Sequence, residues 1–89
     1  MSYSATTTFE NSPRGVPAGA EEFFQLGMMY STGSTVPADM VTAHKWFNIA
    51  AMNGNKDAVR LRHEVAAEMT DAEIAAAQRA ARDWLKTRH

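Results

Sequence analysis

The stretch from Leu26 to Ala58, LGMMYSTGSTVPADMVTAHKWFNIAAMNGNKDA, constrains the fold of this chain more than any other. Small and aromatic residues recur there at three- and four-residue spacing on either side of a turn built from Gly, Ser, Thr and Pro. That pattern encodes two antiparallel helices in close contact. Gly33 follows the last periodic residue and suits a left-handed helix terminus, while Pro37 fixes the chain just before a second helix begins near Ala38 or Asp39. The turn holds glycine and hydroxyl side chains but neither a phosphate-loop lysine nor a preceding strand, so its chemistry is that of a turn.

Leu26, Gly27, Tyr30, Gly33, Val36, Asp39, Ala43, Trp46, Ala50, Ala51, Gly54 and Ala58 fall in the order and at the intervals of a known motif. In these positions the chain resembles the Sel-one-like repeat, a relative of the tetratricopeptide repeat. The resemblance covers one complete repeat, roughly residues 22 to 58, and continues into a degenerate second. Glu22 stands where the family usually has Ala, and Thr35 where its loop usually has a second Gly. The resemblance implies an all-α fold of two helical hairpins, four helices in a short α/α solenoid, and a scaffold or adaptor role that requires no chemistry.

The remaining sequence divides around this repeat. Residues 1–18 are rich in Ser, Thr, Pro and Gly, with Tyr3, Phe9 and Val16 as their large apolar groups; they read as a flexible tail, with a docking motif around Tyr3 or Phe9 as the functional alternative. A helical repeat domain then spans 19–89, with the complete repeat at 19–54 and a degenerate repeat with a capping helix at 55–89. Helix one is expected over Gly19–Thr32, with Phe23, Leu26, Gly27 and Tyr30 inward. Gly27, mid-helix, costs about 1 kcal/mol relative to Ala and so signals a close helix crossing, for which Ala43 and Ala50 are the expected partners. Helix two is expected over Ala38–Asn53, its inward face Met40, Ala43, Phe47 and Ala50 with Trp46 beside them. His44 and Lys45 fall off that stripe and read as solvated residues. Helix three, Asn55–Glu68, carries Ala58, Leu61, Val65 and Met69 inward. Helix four opens at Thr70, Asp71, Ala72, Glu73, a capping box. The Ala43–Trp46 pattern AxxW returns as Ala81–Trp84, so Trp84 echoes Trp46.

At 89 residues the chain makes one domain at most and buries only about 60% of its unfolded surface, so the fold must be economical. The absence of cysteine excludes disulfides, thiolate metal sites and a thiol nucleophile. A net charge of −1 gives no basic field for nucleic acid. There is no segment of signal-peptide character and none approaching the roughly 18 apolar residues of a membrane span, so a cytoplasmic protein that binds no membrane is expected. His44, His63 and His89 are far apart, no Ser sits in a nucleophile elbow, and Glu21, Glu22 and Asp39 are helix-start carboxylates; no catalytic group, metal site or cofactor is expected.

The reading that follows is a non-catalytic interaction module for a protein or peptide partner, with a self-assembling homodimer as the alternative. Glu21, Phe24, Gln25 and Met28 are expected on the open side of helix one, and Lys56, Arg60 and His63 alongside them on helix three. Together these make a groove with an apolar centre and a charged rim, the alternative being that Phe24 and Met28 fill the core or a dimer contact. Deleting residues 1–17 is expected to leave the melting temperature nearly unchanged; a fall of more than about 5 °C would show that the tail packs on the domain.

Overall fold

The structure, a computed structural model, describes residues 19–87; the tail, residues 1–18, and Arg88 and His89 lie outside the described residues. Four helices follow one another: α1, Ala20–Thr32; α2, Met40–Met52; α3, Lys56–Ala66; and α4, Asp71–Lys86, with no strand among the described residues. Each terminus has a local cause. Gly33 adopts φ 69°, and its N–H donates to Met29 O at 3.0 Å, closing α1. The Asp39 N–H then donates to Tyr30 O at 2.9 Å, tying the start of α2 to the end of α1. The Asp39 carboxylate caps α2 by accepting from the Thr42 N–H at 3.1 Å and the Thr42 hydroxyl at 2.8 Å. Asn55 caps α3 by accepting from the Ala58 N–H at 2.9 Å. The expected capping box is formed, with Glu73 N–H to Thr70 Oγ1 at 3.1 Å and Thr70 N–H to Glu73 Oε1 at 2.8 Å.

The packing is centred on α2. Helices α1, α3 and α4 each lie close against it, and none of the three packs as closely on another. Accordingly α2 is buried nearly all round, through Ala43, His44, Trp46, Phe47, Ile49 and Ala50 rather than through a single stripe. Phe47 and Ile49 are fully enclosed, each contributing about 1.5–3 kcal/mol of burial. The echo between the tryptophans is physical: Trp84 stands edge-on to Trp46 and to Phe23, with centroids 5.3 Å away in both cases, while Phe23 and Trp46 stack at 5.9 Å. This cluster joins α1, α2 and α4.

Two expectations are corrected. The partner of Gly27 is the Phe47 ring rather than Ala43 or Ala50: a Cβ at position 27 would stand 2.5 Å from Phe47 Cδ1 and Cε1. An aromatic ring thus takes the place of the missing side chain, where helix backbones were expected to touch. His44, expected in solvent, is 3% exposed, because α3 and α4 cover the side of α2 that a single-stripe reading leaves to water.

Gly27→Ala is therefore expected to destabilise by about 1–3 kcal/mol despite the better helix propensity of Ala, since Phe47 has no room to move. A melting temperature equal to or above wild type would contradict that packing.

Candidate functional site

Because α3 and α4 rest on α2 without closing on each other, a cleft of about 380 Å³ remains between the three helices. Its lining comes from neighbouring turns: His44 and Asn48 from α2, Arg62, His63 and Ala66 from α3, and Ile74 and Gln78 from α4. A spacing of four residues puts two side chains on one helix face, so each helix presents a single turn to the cleft. Asn48 Oδ1 accepts from Arg62 Nη1 at 2.7 Å, which orients the guanidinium. Among the described residues no carboxylate pairs with Arg62. The ion pairs of α3 belong instead to Arg60, with Asp57 at 3.8 Å and Glu64 at 3.3 Å, both exposed and worth only a few tenths of a kcal/mol.

His44 is the buried polar residue of this region, and its Nδ1 has no hydrogen-bond partner among the described residues. Burial first, then the charges of Arg62 and His63, holds its pKa below the ordinary 6.5 and keeps the ring neutral. Lys45, expected in solvent, is half-buried: its Nζ lies 4.3 Å from the Trp46 ring centroid, and burial lowers its pKa as well. No group of three or more His, Cys, Asp or Glu able to hold a metal occurs among the described residues.

The residues expected to form a groove are distributed differently. Glu21 and Gln25 are exposed on α1 and bonded to each other, Gln25 Nε2 donating to Glu21 Oε2 at 2.8 Å. Phe24 and Met28 are half-buried and packed against the core, with the Phe24 ring 5.8 Å from that of Phe47. Lys56, Arg60 and His63 are exposed on one face of α3, and Val59 shares that face. Helices α1 and α3 do not form a packed pair. His63 also lines the cleft. Its other lining residues carried no individual signal in the sequence, since pairs four residues apart on three helices gain meaning only once the helices meet.

Comparison of the chain with protein-family models, with curated proteins and with solved structures finds no match. The resemblance to the Sel-one-like repeat rests on the residue pattern.

A histidine whose folded pKa is depressed stabilises the fold above its unfolded value, and that contribution is lost as pH falls. Urea midpoints are expected to drop as pH falls below about 6.5, with Asp39, whose pKa is lowered by its Thr42 hydrogen bonds, adding a further loss below about 4. His44→Leu is expected to remove the upper part of this dependence. An unchanged pH profile in that variant would contradict the assignment.

Proposed function

We propose that the chain is a cytoplasmic Sel-one-like helical-repeat module that binds a protein or peptide partner and carries out no bond-making chemistry. The observation that carries this reading is the outer side of the α2–α3 corner. Met52, 62% exposed, and Val59, 38% exposed, are the large apolar side chains left to solvent among the described residues. They flank the Asn53–Gly54–Asn55 turn, and Lys56, Arg60 and His63 continue the same face of α3. Apolar anchors beside charges are the usual makings of a partner surface, the anchors giving affinity and the charges register. Glu21 and Gln25 are exposed on α1, beside the half-buried Phe24 and Met28.

The solenoid reading draws support from the glycine–aromatic contact between α1 and α2 and from the paired AxxW tryptophans. In it, α1–α2 is the complete repeat and α3–α4 a degenerate one, with α4 as its cap. The homodimer is the second reading, favoured by the same exposed Met52, since a domain this small gains stability by covering apolar surface.

Affinity capture with the full chain, compared with Met52→Asp combined with Val59→Asp, separates the two. The proposal expects helicity to persist and specific proteins retained by wild type to be lost from the double variant. An identical captured set in both would move the surface elsewhere. A dimer mass by light scattering that the double variant converts to monomer would establish self-assembly instead.

A further inference from the structure

We infer that the cleft between α2, α3 and α4 is a binding site for a small carboxylic acid, with the carboxylate on Arg62 and an apolar body against Ala66 and Ile74. The site is distinct from the partner surface proposed on α3, and the two meet only at His63.

Charge is the first support. The lining holds an arginine and two histidines but no Asp or Glu, and Arg62 is half-buried without a carboxylate partner among the described residues. A cation partly withdrawn from water and lacking a counter-ion is held at a cost that a bound anion offsets. Geometry is the second. Asn48 occupies one guanidinium nitrogen at 2.7 Å and fixes the plane, while the group has five N–H donors in all. A planar fork donates two parallel hydrogen bonds to a carboxylate, and the apolar walls at Ala66 and Ile74 suit the body of a carboxylic acid rather than a strongly hydrated phosphate dianion. The third support is His44, only 3% exposed and with its Nδ1 unpaired among the described residues. An unpaired buried ring nitrogen costs stability, so its retention at the edge of a cleft points to a use there. Size is the fourth: about 380 Å³ falls at the small end of ligand pockets, roughly 300–1,000 Å³.

Binding is coupled to His44. The charged groups facing it are Arg62 and His63 from α3, while α4 presents Ile74 and Gln78, which are uncharged. An anion on Arg62 offsets the field that adds to burial in keeping His44 neutral, so the titration midpoint of His44 rises when the site is filled.

The test is an NMR titration of the full isotope-labelled chain with benzoate, with inorganic phosphate, and with sodium chloride at matched ionic strength. The inference expects saturable shifts with benzoate, confined to Asn48, Arg62, Ala66, Ile74 and the His44 ring, and an upward move of the His44 midpoint. Arg62→Gln is expected to weaken benzoate about tenfold or more, and Arg62→Lys to weaken it less, keeping charge but losing the fork. Chloride reproducing the shifts, phosphate binding as well as benzoate, or no saturation with benzoate would each overturn it. If Arg62→Gln loses helicity, Gln78→Glu decides, because an acidic group on the exposed α4 wall weakens benzoate several-fold if the site is real. Unchanged affinity in that variant overturns the inference.

Discussion

The structure depends on the contact between Gly27 and the Phe47 ring. Residue 27 has no side chain, so the ring of Phe47 lies against the backbone of α1, and α2 settles closer to α1 than any larger residue would permit. Phe24, one turn earlier on α1, tilts against the Phe47 ring, and the Asp39–Tyr30 backbone hydrogen bond sets the register of the hairpin. With α1 fixed on one side of α2, the opposite sides are left for α3 and α4. Phe23, Trp46 and Trp84 fasten the last of these, using aromatic edges and faces in place of a layer of aliphatic residues.

One buried helix surrounded by three is an economical answer for a chain of this length. A small domain exposes most of its elements on at least one side, and enclosing a single helix concentrates the burial where it contributes most. The same arrangement explains the cleft. Two helices that both seek α2 need not close over each other, and the space between α3 and α4 is lined by the side of α2 that faces them. The polar character of His44 and Asn48 on that side is what distinguishes the cleft from a packing defect lined by aliphatic groups.

Much of the architecture was legible in the chain because it was encoded locally. Gly33, Thr70 with Glu73, and the recurrence of AxxW each act within one turn or one repeat, and the helices they imply are present. What escaped was collective. Ile49 and His44 lie off the stripe of Met40, Ala43, Phe47 and Ala50, and their burial follows only from knowing that three helices cover α2. A lone histidine between Ala43 and Lys45 carries no mark of its surroundings. With Leu26, Gly27 and Tyr30 turned to the second helix, the sequence leaves Phe24 and Met28 equally open to a groove or to the core; both are half-buried and packed against the core, with the Phe24 ring 5.8 Å from that of Phe47. Of the cleft, the sequence marks His63 for a different surface and His44 only as a solvated residue.

Native-state amide hydrogen exchange tests the central position of α2 most directly. If α2 is the enclosed helix, the amides of Phe47, Ile49 and Ala50 exchange only through global unfolding, with an opening free energy equal to that from denaturant titration. Amides of α1, α3 and α4 then open at that level or below it. Exchange of the α2 amides through a local opening of lower free energy than that of Phe23 in α1 or Ala81 in α4 would contradict the account.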